Sequence, residues 1–274
     1  MEFYEKIKKI IFILTVITCI VMAYMFVHGI YIPSEITSKE CKEVQQEMNE
    51  YLNKKYDMQF EFVKKPYING LQALAYGEAA HENDTYLAKV IPVGKPELEF
   101  LIKRKKSKKG DFYDDYLKIK WTYEGKQDVE NKIREVYGSE TDFLLKYEFN
   151  FNKEEFKNLS YTEVLAKCNP SIDIRVYVYS DEKFEKYTEA EKMYIILKPH
   201  LFDNKITNYG IGQYFYSKKY KQEFISNKKH IEDMSNDKLH EEGLLINYIA
   251  IYSMKSGHKL QINSSGDLVK CFKY

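Results

Sequence analysis

The sequence predicts an α+β protein: an N-terminal transmembrane helix, then an ectodomain of helices and antiparallel sheet, arranged as two packed α+β halves. Three observations predict it. An uncharged apolar run opens the chain, several short runs alternate apolar and polar residues, and longer stretches repeat apolar residues at helical spacing.

The opening run spans Ile10 to Ile32 and carries no charged residue. At about 1.5 Å per residue it makes a helix about 35 Å long, enough to cross a hydrocarbon core of about 30 Å with some tilt. Lys6, Lys8 and Lys9 precede it, while Glu35, Lys39 and Glu40 mix signs on the far side. The positive-inside bias therefore places residues 1–9 in the cytoplasm and the chain after residue 32 outside the cell membrane. A cleaved signal peptide has a shorter apolar core, and the cleavage candidate Val27-His28-Gly29 does not outweigh the length of this run. The lipid bilayer is thus the first expected partner, through residues 10–32.

Residues 33–138 read as a first subdomain of helix, four-stranded meander, helix. Val44, Met48, Tyr51 and Leu52 form an apolar stripe on a helix from Glu35 to Lys55. Strand character comes next at Met58–Val63, Leu71–Ala79, Thr85–Pro92 and Glu97–Lys103, with period-two alternation clearest at Phe60/Phe62 and at Leu98/Phe100/Ile102. A second helix is expected from Asp111 to Tyr137. Asp111, Asp114 and Asp115 fall in its first turn, where the helix dipole favours negative charge, and Gly138 ends it.

Residues 139–274 read as a second α+β subdomain. Strands are expected at Phe143–Phe151, Ile172–Tyr179 and Leu244–Met254, and helices at Thr188–Leu197 and Lys218–Lys228. Ser160 and Glu163 have the spacing of a capping box opening a helix through Lys167. Asn263-Ser264-Ser265-Gly266 suggests a hairpin between Lys259–Ile262 and Asp267–Phe272.

Composition narrows function. Residues 33–274 are formally neutral, 39 basic against 39 acidic, which argues against nucleic acid as a partner. Cys41, Cys168 and Cys271 show no C-x-x-C spacing; a Cys168–Cys271 bridge is compatible with an oxidising compartment, but free thiols are the expected state. His81, His200, His230, His240 and His258 are scattered, so no metal site and no cofactor are expected. Gly210-Ile211-Gly212 lacks the third glycine of a dinucleotide loop, and no G-x-S-x-G occurs.

The sharpest local feature is cationic: Lys103, Arg104, Lys105, Lys106, Lys108 and Lys109. Such a cluster suits an anionic lipid headgroup or wall polymer, at about 1 kcal/mol per side chain near an anionic surface. Charge runs are usually solvated, however, and the favoured reading is a solvated tip balanced by Asp111, Asp114 and Asp115. The expected function is a membrane-anchored extracytoplasmic binding or interaction module, its ligand an envelope protein or anionic polymer. The alternative is an envelope-acting hydrolase whose active site assembles from non-adjacent residues. A deep pocket of convergent titratable groups favours the hydrolase; a shallow aromatic or basic groove favours the binder.

Overall fold

The computed structural model describes residues 36–68, 85–221, 235–252 and 262–274, together with Thr15. Apart from Thr15, the run at 10–32 expected to cross a membrane lies outside the described residues, as do the tail at 1–9, the strand expected at 71–79 and residues 222–228 of the helix expected at Lys218–Lys228. Among the described residues no helix is long and apolar enough to cross a membrane. The chain is α+β; its described residues form two four-stranded sheets, and it divides into two units between Asp115 and Tyr116.

In the first unit, α1 (Ser38–Tyr56) starts where the Thr37 hydroxyl accepts from Glu40 N and ends at Asp57 in the left-handed conformation. Its apolar stripe buries Val44, Met48 and Leu52. The sheet is an antiparallel meander of β1 (Phe60–Ile68), β2 (Thr85–Pro92), β3 (Phe100–Lys105) and β4 (Phe112–Asp114). Two register shifts and Pro66 interrupt β1, which blunts it as an edge strand. Cross-strand registers place Val90 against Phe100, Ala88 against Ile102 and Tyr86 against Arg104 on one face.

That face ends in polar residues, and each meets the flank of α1. Tyr86 donates to Glu40, and Arg104 pairs with Glu47 at 2.8 Å. Buried Asp114 accepts from Tyr51 Oη at 3.0 Å, Lys55 Nζ at 2.9 Å and Tyr56 Oη at 2.6 Å. Here the sequence expectation needs correction. Asp114 does not sit in a helix's first turn; it closes a three-residue strand, and its carboxylate answers donors on α1 rather than a helix dipole.

The second unit opens with α2 (Tyr116–Tyr137), a helix that the sequence pattern assigns to the first subdomain. It belongs instead to the second sheet, because its buried side packs on β5 (Asp142–Asn150): Trp121 meets Phe149 edge-on at 6.0 Å. The helix runs straight through Gly125. A Cβ there would lie 2.5 Å from Tyr147 Oη and 2.6 Å from Tyr161 Cε2, so only glycine leaves room for those rings. Gly138, at φ +95°, ends the helix as expected.

The sheet of this unit runs β5, β6 (Ser171–Tyr179), β7 (Asn208–Tyr216) and β8 (Leu245–Tyr252). It is mixed rather than antiparallel: β6 and β7 are parallel, flanked by antiparallel β5 and β8. Between β5 and β6, α3 (Tyr161–Lys167) opens with the expected Ser160/Glu163 capping box. The cause of the parallel pairing is the crossover, since α4 (Lys186–Leu197) and a π-helical turn (Lys198–Phe202) return the chain to the end where β6 began. The α-helix itself ends at Leu197, as the sequence suggests, and Pro199 sits in the π-helical turn that follows. The core is the inner face of the sheet, with Phe149, Ile172, Ile174, Ile211 and Ile249 under α2 and α4.

The described residues of this unit also include the short helices α5 (Asn236–Glu241) and α6 (Ser265–Val269). The second replaces the hairpin expected around residue 264. Ser264 and Asp267 form a capping box, so the same polar residues that suggest a turn nucleate a helix instead. All three described cysteines, Cys41, Cys168 and Cys271, are free and half-buried.

Candidate functional site

The parallel pair opens onto a concavity in the second unit. β6 and β7 end together at Tyr179 and Tyr216, and Ser180 N bonds back to Tyr216 O at 2.9 Å. Beyond those ends lies a cleft of about 400 Å³. In open sheets with parallel strands, the carboxyl ends are where diverging loops leave a ligand crevice. Here the walls come from the end of α2 with the turn into β5, the loop after β6, one side of α4 and the first turn after β7.

Tyr137 organises the floor. Its hydroxyl donates to Glu189 Oε2 at 2.6 Å and accepts from Gln213 Nε2 at 2.7 Å. Gln213 is 1% exposed, so its amide needs this partner. Lys192 Nζ bonds Glu189 Oε1 at 2.9 Å and lies 4.6 Å from the centre of the Tyr137 ring. Burial first, and then the charge of Glu189, hold the Tyr137 phenol well above the ordinary tyrosine range. It is a hydrogen-bonding fixture, protonated at any physiological pH.

The mouth carries both signs, with Glu140, Asp142 and Glu182 against Lys183 and Lys218, over apolar Phe184 and Phe215. Backbone donors near the strand ends are already used. Glu182 N bonds Ser180 Oγ at 3.0 Å, Lys218 N bonds Asp181 Oδ1 at 2.9 Å, and Ser217 N bonds Leu244 O at 3.0 Å. A phosphate cradle needs such groups unspent. Among the described residues no cluster of three or more His, Cys, Asp or Glu side chains is placed to hold a metal ion.

Tyr179 and Tyr216 also belong to the outer face of the sheet, where tyrosines gather into a raft. Tyr177 stacks on Tyr214 at 5.0 Å and 9°, and Tyr214 on Tyr248 at 5.7 Å and 6°. Tyr216 stacks on Tyr220 at 4.1 Å, and Tyr179 on Tyr216 at 6.0 Å. The registers make this inevitable: Leu144, Tyr177, Tyr214 and Tyr248 sit directly opposite one another across the four strands. One end of the raft is covered by Leu239 of α5, while Leu144 at the other edge is 49% exposed. Beside it Arg175 Nε bonds Asp173 Oδ1 at 2.9 Å, and Lys146 lies 5.5 Å from the Tyr177 ring centre.

The cationic cluster of the sequence is in the first unit and is split by strand periodicity. Arg104 points inward, 5% exposed, while Lys103 and Lys105 point outward. Lys105 pairs with Asp111 at 3.6 Å, Lys106 with Glu40 at 3.8 Å and Lys109 with Glu47 at 3.9 Å. The cleft leaves little mark in the sequence: its parts come from residues 137–246, and of its local features only the Gly138 helix stop is legible there.

No family model matches the chain, and no curated protein matches it. Among solved structures it is similar to the crystal structure of a DUF5037 family protein from Ruminococcus gnavus. The two share 15% identity over 83% of this chain and 97% of that one, with a TM-score of 0.41. A likeness that distant has no bearing on chemistry.

Proposed function

We propose that the chain is a membrane-anchored extracytoplasmic binding module whose ligand face is the cleft and tyrosine raft of the second unit. The observation that carries this reading is the raft itself, near-parallel tyrosines sharing Tyr179 and Tyr216 with the cleft. Tyrosine supplies rigid contact area with a polar tip, at low conformational cost. A hydrolase needs acid–base groups with spare valence, and the best placed carboxylate, Glu189, is engaged by Tyr137 and Lys192. The partner class is an envelope protein or polymer, met by a domain that residues 10–32 keep at the membrane surface.

The test has two arms. The full chain should remain with membranes through alkaline carbonate extraction. In detergent it should retain envelope proteins or polymer on a column, and Tyr177→Ala with Tyr214→Ala should weaken retention about tenfold or more, the effect of losing about 1.4 kcal/mol. Release of the intact chain sinks the anchor; retention indifferent to both tyrosines sinks the binding face.

A further inference from the structure

At the far end of the α2/α4 pair from the cleft lies a buried polar cluster that binding does not use. His200, in the π-helical turn that continues α4, is 1% exposed. Its Nδ1 is 3.2 Å from Tyr161 Oη, and Tyr147 Oη donates to Tyr161 Oη at 2.6 Å. The charged groups facing it come from α2: Asp128 Oδ2 stands 3.9 Å from Nδ1, and Lys132 acts from the next turn. From α3 comes only the Tyr161 phenol, and from β5 only that of Tyr147; Glu124 of α2 is spent on Tyr161 N at 2.9 Å.

Hydrogen-bond directions follow from counting protons. Tyr147 gives its proton to the Tyr161 oxygen, so Tyr161 gives its own to Nδ1, which requires neutral His200 to be protonated at Nε2. Adding a solvent proton at Nδ1 removes that acceptor. The Tyr161 hydroxyl is then left without one in a buried site, and the new N–H turns to the Asp128 carboxylate. The cluster thus has two discrete arrangements, differing by one proton and by which helix the imidazole is tied to.

We infer that the His200–Tyr161–Tyr147 chain with Asp128 is a proton-operated latch between α2 and the turn that ends α4. Below the latch α4 carries Glu189 and Lys192 into the cleft, so the two sites share both helices. Along α2, Asp128 and Tyr137 are separated by about 14 Å of helix. Burial first pulls the His200 pKa down from the ordinary range, Asp128 opposes this and Lys132 adds to it. The neutral arrangement therefore dominates at neutral pH and gives way on acidification.

The chain's single tryptophan is a reporter in place. Trp121 Nε1 donates to Leu159 O at 3.1 Å, and its ring meets Phe149, which meets Tyr161 at 5.5 Å. On the full chain, imidazole NMR should give the His200 midpoint while tryptophan emission follows the cluster. Both should move together, below the reference histidine pKa of about 6.5. Asp128→Asn should lower the shared midpoint by about one unit and Lys132→Gln should raise it; both side chains lie on the helix surface, so folding is not at stake. Tyr161→Phe should abolish the emission change while His200 still titrates. The latch is refuted by an emission change whose pH the α2 substitutions leave unmoved, by a titration without an emission change, or by His200 charging only as the protein unfolds.

Discussion

Lys55 and Asp114 form an ion pair of 2.9 Å at the end of α1, with the carboxylate side chain fully buried and two tyrosine hydroxyls also donating to it. Donors from a single helix thereby fix the last strand of the first sheet. Lys55 also lies 5.2 Å from the ring centres of both Tyr51 and Tyr56. The short strand is thus held by this shell of donors as well as by its ladder with β3.

Replacing Asp114 with Asn removes the charge and leaves Lys55 opposite a neutral amide. Breaking a buried pair from one side costs about 3–5 kcal/mol, and the lower end applies because the Lys55 side chain retains 13% exposure. The expected outcome in a denaturant melt is a loss of about 3 kcal/mol. Burial alone would lower the Lys55 pKa, but its bonds to Tyr51 and Asp114 overcome this and raise it. A raised lysine pKa gives stability that is complete below about pH 10.4 and lost as pH climbs through the higher folded value. The parent's advantage over the variant should therefore fade in strong alkali.

Gly125→Ala sets helix propensity against packing. Alanine favours a helix interior by about 1 kcal/mol over glycine. The added methyl, however, meets Tyr147 and Tyr161 at 2.5–2.6 Å, and overpacking costs about 1–3 kcal/mol. Packing wins: the variant should melt a few degrees lower, by about 2–4 °C per kcal/mol at this size. An unchanged or raised melting temperature would show that the two rings move aside freely.

Local patterns in the chain announce themselves in advance; distant partnerships do not. The stripe of α1, the alternation of Phe100 with Ile102 and the Ser160 capping box are local, and each is formed as the sequence suggests; Leu98, expected in the same strand, lies instead in a 3-10 turn (Pro96–Leu98). Asp114 misleads because three acids before a helical stretch look like dipole complements, whereas its partners lie 58–63 residues away. Ser264 misleads because turn and capping residues are the same types. The parallel pairing of β6 with β7 leaves no mark in either strand alone; the crossover decides it. The cleft is harder still, since its floor joins Tyr137 to Gln213 across 76 positions.

The cationic run makes a graded test. Arg104 is inward and paired with Glu47, whose side chain keeps 32% exposure, so Arg104→Gln should cost at least about 2 kcal/mol of stability. Lys103→Gln and Lys108→Gln should each stay within about 0.5 kcal/mol. Anionic vesicles then separate the two roles. If outward lysines recruit a polyanion, neutralising Lys103, Lys105, Lys106, Lys108 and Lys109 should abolish vesicle binding while the fold stands; equal binding with and without the charges removes the polyanion idea.

The tyrosine raft should declare itself in alkali. Burial raises the pKa of Tyr179 and Tyr214, and of Tyr216 most strongly among the three, with neighbouring phenols adding to the effect. For Tyr177 burial likewise raises it, against an opposing contribution from Arg175. A phenol whose folded pKa lies above the unfolded value of about 10 contributes stability that is whole below pH 10 and fades as pH rises past it. Ionising one ring of a stack also sets like charges against each other a few ångströms apart, so raft ionisation and unfolding should coincide. Followed by near-ultraviolet absorbance and far-ultraviolet circular dichroism, the last tyrosinate signal should appear together with loss of the sheet. Tyr216→Phe keeps the ring stack and removes its most buried ionisable hydroxyl, so its alkaline midpoint should move to higher pH. A Phe variant that unfolds at the same pH as the parent would mean that the raft is not the element that yields first.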